Sequence, residues 1–155
     1  MQSQAMRHAI DLAVKNVASG NGGPFGAVIV RDGKILAEGV NLVTSTCDPT
    51  AHAEVVAIRR ACQLVGAFEL KDCEIYSSCE PCPMCLGALY WARIGHIYFA
   101  ATREDAAKSG FDDSFIYDEI PLAIAERKIP TECFLQEEGL AAFRAWNESV
   151  AKVHY

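Results

Sequence analysis

The chain has 155 residues, 51% of them apolar and 22% charged, with a formal net charge of −6. That length supports one domain with a real core and is short for two, and the acidic balance argues against a partner gripped by broad phosphate neutralisation, hence no nucleic acid. No apolar run is long enough to span a bilayer, and MQSQAMRHAI carries no hydrophobic signal core, so the expectation is a cytoplasmic protein without a membrane partner.

Residues 3–19 put Met6, Ala9, Ile10, Ala13, Val14 and Val17 on one helical stripe, with Ser3 to cap the start and Gly20 to end it. NGGPFG follows. Its glycines suggest a phosphate cradle, but no Gly-Lys-Ser/Thr comes after, so it reads as a tight loop entering a strand. Residues 25–31 and 34–40 read as two strands joined by Asp32-Gly33, a strong hairpin turn. The apolar run Ala27–Val30 suggests a strand covered on both faces.

Asp48-Pro49 is expected to open a second helix that runs to about Val65, with Gly66 as terminator. A third strand is expected at 73–78, a helix from Pro81 or Pro83, and a fourth strand at 95–101. Residues 104–128 read as a helical turn, an acidic-aromatic loop (FDDSFIY) and a Pro-started helical piece (PLAIAERK). A fifth strand at 131–135 and a last helix at 138–153 complete the chain. A hairpin followed by strands separated by helices implies parallel crossovers. The expected fold is α/β: a three-layer α/β/α sandwich around a five-stranded mixed sheet, as one domain over 1–155.

There are seven cysteines, an odd number and a poor disulfide framework. Cys47, Cys62, Cys73 and Cys133 read as small apolar filler. Cys82 and Cys85 differ. They stand at i and i+3 in the first turn of a helix, where unpaired N–H groups and the dipole favour thiolates, the metal-binding form. His52 is expected in the first turn of the preceding helix. One imidazole and two thiolates leave a fourth tetrahedral position open, the pattern of a catalytic zinc site. Zinc brings the pKa of bound water from 15.7 to about 7. Glu54, roughly 200° around a helix from His52, suits a proton shuttle better than joint ligation.

Other readings exist. Cys79 is available as the fourth ligand of a structural zinc site. The run C-x-x-C-x-x-C resembles part of an iron–sulfur motif, but its next position holds Leu89. The combined H-x-E…P-C-x-x-C pattern of His52, Glu54, Pro81, Cys82 and Cys85 is the signature of zinc-dependent nucleobase deaminases.

On those motifs the chain resembles the cytidine and deoxycytidylate deaminase superfamily. GGPFGAVIV, DPTAHAEV, SSCEPCPMCLGA, YWARI, GFDDSFIYDEI and the terminal Tyr155 look like the short bacterial guanine deaminases within it. The resemblance implies zinc on His52, Cys82 and Cys85, and Glu54 as general acid/base. It implies hydrolysis of a small purine base, guanine, to xanthine and ammonia. Candidate substrate contacts are Phe25 for stacking, Asn41, the Ala53 N–H, the Ser78 or Cys79 carbonyl, and Asp113 with Asp112 as the alternative. The resemblance also implies a homodimer in which the C-terminal helix and tail (138–155) are exchanged, so that Tyr155 closes the partner's site. Trp91 and Trp146 read as core or dimer interface. The rivals are a tRNA adenosine deaminase, a deaminase of cytosine or another small base, and a catalytically silent zinc-binding scaffold.

Overall fold

The computed structural model describes residues 2–155. The chain divides into two compact units, one ending at Asp113 and the other running from Ser114 to Tyr155.

The first unit contains α1 (Gln2–Ser19), β1 (Gly26–Arg31), β2 (Lys34–Val40), α2 (Val43–Thr46), α3 (Ala53–Val65), β3 (Cys73–Cys79), α4 (Pro83–Trp91), β4 (His96–Ala101) and α5 (Arg103–Lys108). The sheet order is β2-β1-β3-β4. β1 is antiparallel to both neighbours, and β3 and β4 are parallel. Asp32 and Gly33 both have positive φ, the primed turn whose twist matches a hairpin, and Arg31 pairs with Lys34.

β1 is buried from Gly26 through Val30 because helices cover both its faces. Ala27 and Ile29 join Ala53, Ala57 and Ile75 in one core cluster, while Val28 and Val30 join Ala5, Ala9 and Tyr76 in another. This alternation confirms the three-layer α/β/α arrangement.

The buried face of α1 is rotated from the expected stripe. Ala5, Ala9, Ala13 and Asn16 face inward, whereas Ile10, Val14 and Val17 are exposed. The helix lies so close to β1 that a methyl on Gly26 would overlap the Ala9 carbonyl and meet the Ala13 nitrogen. Close approach selects small side chains over greasy ones.

The expected opening of α3 at Asp48-Pro49 is also corrected. Asp48 Oδ1 accepts from the Thr50 amide at 2.8 Å and the Thr50 hydroxyl at 2.7 Å, so it closes a turn rather than capping a helix. The helix begins five residues later, at Ala53.

The sheet has four strands among the described residues, so the fifth strand expected at 131–135 is not formed. A strand needs a ladder neighbour, and Leu135 turns into the left-handed region (φ 55°) to start the next helix. The second unit consists of α6 (Ser114–Glu119), a 3₁₀ turn (Ile124–Glu126) and α7 (Gln136–Glu148). Part of FDDSFIY is therefore helical, and PLAIAERK keeps only the 3₁₀ turn. No residue of 114–155 is fully buried.

No helix among the described residues is long and apolar enough to cross a membrane.

Candidate active site

β2, β3 and β4 run in one direction and β1 in the other. Phe25 before β1, Asn41 after β2, Glu80 after β3 and Thr102 after β4 therefore meet at one edge of the sheet. α3 and α4 both begin there. The carboxyl ends of strands in open α/β sheets are where ligands bind.

His52 and Cys82 are the N-cap residues of α3 and α4. Each carbonyl accepts the first helical hydrogen bond, from Val56 N at 2.9 Å and Leu86 N at 2.8 Å. Neither side chain caps its own helix. Both are instead turned toward one point, with Cys85 from the first turn of α4. Close packing allows this: a methyl on Gly39 of β2 would overlap the Ala53 carbonyl and crowd the Ala57 amide. Only glycine lets the start of α3 sit directly on the sheet.

His52 Nδ1 lies 3.5 Å from Cys82 Sγ and 3.5 Å from Cys85 Sγ. Zn–S near 2.3 Å and Zn–N near 2.0–2.1 Å at the tetrahedral angle require a separation of about 3.5 Å, so the donors fit zinc. Electrostatics agree. Cys82 is lowered to about 4, first by the hydrogen bond from Cys85 and also by His52, while the same bond pushes Cys85 up. Cys79 does not join the cluster. Its thiol points to the Thr102 carbonyl at 3.5 Å and is raised to about 11 by burial. The fourth position is thus not filled by the available cysteine, which favours the open site over a closed structural one.

Glu54 is buried. Its Oε1 accepts from Ser77 Oγ at 2.8 Å, and its Oε2 lies 3.4 Å from Cys85 Sγ. Desolvation raises its pKa, with its own backbone and Ser77 pulling the other way. Ser77 went unnoticed in the sequence, yet the two-residue period of β3 places it on the face of Ile75, as a polar group at a buried position.

A cavity of about 340 Å³ opens over these groups, walled by His52, Glu54 and Cys82 and also by Phe25, Asn41 and Asp113. Phe25 packs edge-on against Phe111, also in the wall, at 5.0 Å and 87°. Asn41 Oδ1 accepts from Gly23 N at 3.3 Å and Val43 N at 3.2 Å, which leaves its amide nitrogen for a ligand. Burial and the nearby Cys82 raise Asp113. Asp112 and Cys79 also reach the wall. Ala53 does not; it is fully buried in the core beneath. The Ser78 hydroxyl is engaged by Gly26 N at 3.0 Å. Tyr155 is exposed and belongs to the second unit. Glu80, Arg103 and Phe111 are wall residues that sequence reasoning missed.

Residues 1–101 match the family model described as the cytidine and deoxycytidylate deaminase zinc-binding region. The chain is 55% identical over 150 residues to the guanine deaminase of Bacillus subtilis (strain 168), an alignment covering 97% of this chain and 96% of that one. The X-ray structure of guanine deaminase from Bacillus subtilis superposes with a TM-score of 0.97 at 54% identity, over 99% of this chain and 98% of that one. A tRNA-specific adenosine deaminase of Aquifex aeolicus is 45% identical over 78 residues, 50% of this chain and 52% of that one. With the donor cluster and the sheet edge that carries it, these matches establish that the chain belongs to the cytidine and deoxycytidylate deaminase family of zinc-binding enzymes.

Proposed function

We propose that this chain deaminates guanine, converting guanine and water to xanthine and ammonia, with zinc on His52, Cys82 and Cys85. The observation that carries the chemistry is the opening of that donor cluster and buried Glu54 into one base-sized cavity. The choice of guanine rests on the full-length resemblance to the Bacillus subtilis enzyme.

His52, Cys82 and Cys85 would hold the zinc, which would supply a water whose pKa falls from 15.7 to about 7. Glu54 takes a proton from the attacking water as its oxygen bonds to the ring carbon that carries the amino group. Glu54 delivers that proton to the adjacent ring nitrogen. Glu54 then takes the remaining proton of the added hydroxyl and passes it to the amino group, so that the C–N bond breaks, ammonia leaves and the ring carbon becomes a carbonyl. A buried carboxyl with a raised pKa suits both directions of transfer. Phe25, backed edge-on by Phe111, stacks on the ring. The carboxylate of Asp113 accepts the N–H donors beside the guanine carbonyl, and Asn41 Nδ2 donates to a ring acceptor.

The working form is a homodimer that exchanges the C-terminal helix and tail, 138–155, bringing Tyr155 of one copy to the other's site. What supports this is a segment with an apolar surface and no core of its own: Phe143 is 67% exposed, Val153 62% and Tyr155 72%. Tyr90 and Trp91 are also exposed on α4.

The test follows ammonia release from guanine, adenine, cytosine, cytidine, guanosine and a tRNA anticodon hairpin. Release from guanine alone or predominantly is expected. Release only from the hairpin would establish the tRNA adenosine reading, which the half-length match to such enzymes favours and the net charge of −6 opposes. Bound zinc with no turnover of any substrate would identify a silent scaffold.

A further inference from the structure

We infer that Asn16, on α1 and outside the cavity, is a positioning residue for the wall that receives the purine ring, an inference that rests on the proposed site but not on guanine. Asn16 is 3% exposed, a polar residue on the buried face of a helix otherwise lined there by alanines. Its single amide nitrogen donates twice, to the Gly23 carbonyl at 2.9 Å and to the Asn41 carbonyl at 2.8 Å. These carbonyls belong to segments 18 residues apart, the loop before β1 and the turn after β2.

The segments are joined further by each other. Asn41 N donates to the Phe25 carbonyl at 3.1 Å, Phe25 N to the Gly23 carbonyl at 2.8 Å, and Gly23 N to Asn41 Oδ1 at 3.3 Å. Asn16 therefore ties Gly23 to Asn41 directly and, through the bonds these two make with it, fixes Phe25; all three line the cavity. The consequence is chemical. A free asparagine amide can present either end to a ligand. Here Oδ1 is consumed by two backbone amides, so Asn41 offers a donor only. That orientation survives only while Gly23 and Asn41 stay in register, which is what the two bonds from Asn16 enforce.

The prediction concerns binding rather than chemistry, because Asn16 touches neither Glu54 nor the donor cluster. Asn16→Ala should raise KM by about tenfold, leave kcat within about twofold and leave zinc per chain unchanged. Asn16→Ser keeps one donor and should fall between. Gly22→Ala disturbs the same strut from the loop before β1, since its methyl would overlap the Asn41 carbonyl and lie 2.8 Å from Asn41 Oδ1. It should reproduce the rise in KM without touching α1. All are measured on whichever base the wild-type protein deaminates, so failure of the guanine reading is seen separately, in the wild type. Unchanged KM in folded Asn16→Ala and Gly22→Ala overturns the inference. So does a loss confined to kcat or to the folded fraction. If Asn16→Ala does not fold, Gly22→Ala decides.

Discussion

The Ser77 hydroxyl donates to Glu54 Oε1 at 2.8 Å, and the opposite carboxyl oxygen lies 3.4 Å from Cys85 Sγ. One oxygen is anchored to β3, and the other faces the donor cluster. Ser77→Ala removes the anchor from a buried carboxylate, an interaction worth about 1.5–3 kcal/mol. The expected result is a fall in kcat of at least about tenfold with KM within about twofold and zinc retained. Steady-state kinetics beside metal analysis check it, and an unchanged kcat would show that the anchor is dispensable.

Glu54→Gln keeps the shape and removes the transferable proton. Zinc content should be unchanged, and the rate should fall by at least about two orders of magnitude. A variant that stays active is incompatible with Glu54 as the shuttle.

Gly39→Ala drives a methyl into the Ala53 carbonyl and the Ala57 amide. Backbone cannot yield as a flexible side chain does, so the cost is about 1–3 kcal/mol or more. Because the collision is at the start of α3, His52 moves with it. A lower Tm and reduced zinc per chain are expected together. A lower Tm with full zinc content would separate packing from the site.

Deleting residues 151–155 should impair turnover and leave metal content intact, since the donor cluster of His52, Cys82 and Cys85 lies outside that segment. Unchanged kinetics would rule out Tyr155 as the element that closes a partner's site.

Thr102 and Asp105 form a reciprocal capping box on α5, the helix that brings Arg103 and Ala106 to the cavity wall. The hydrogen bonds from Thr102 hold Asp105 below its ordinary value of 3.8. A depressed carboxyl stabilises the fold above its unfolded pKa and loses that contribution as pH falls through the folded one. The Tm advantage of the wild type over Asp105→Asn should be present at about pH 6 and shrink once the pH drops below 3.8.

Local chemistry was the legible part. Asp32-Gly33 announced the hairpin because both positions need positive φ, and Gly66 announced the end of α3 for the same reason. His52, Glu54, Cys82 and Cys85 were legible because few side chains bind zinc or carry protons. Tertiary distance was not legible. The stripe on α1 was misread because hydropathy undervalues alanine, and here the helix is too close to the sheet for Ile10 or Val14 to face it. The strand expected at 131–135 has a strand's composition, but composition supplies no ladder partner. Asn16 and Ser77 look like ordinary polar residues until the elements that bury them are assembled.

The donors come from two connections that β1 holds apart. β2 and β3 point the same way but are not neighbours, so the chain must carry α3 across β1 and lay down β3 before Cys82 and Cys85 can approach His52. No short fragment contains the site, and a locally collapsed chain does not either. Metal binding therefore depends on long-range contacts rather than on any single local element. Zinc bound per mole of purified protein then counts chains that have completed the topology, and it exposes those that are compact but incorrectly wound.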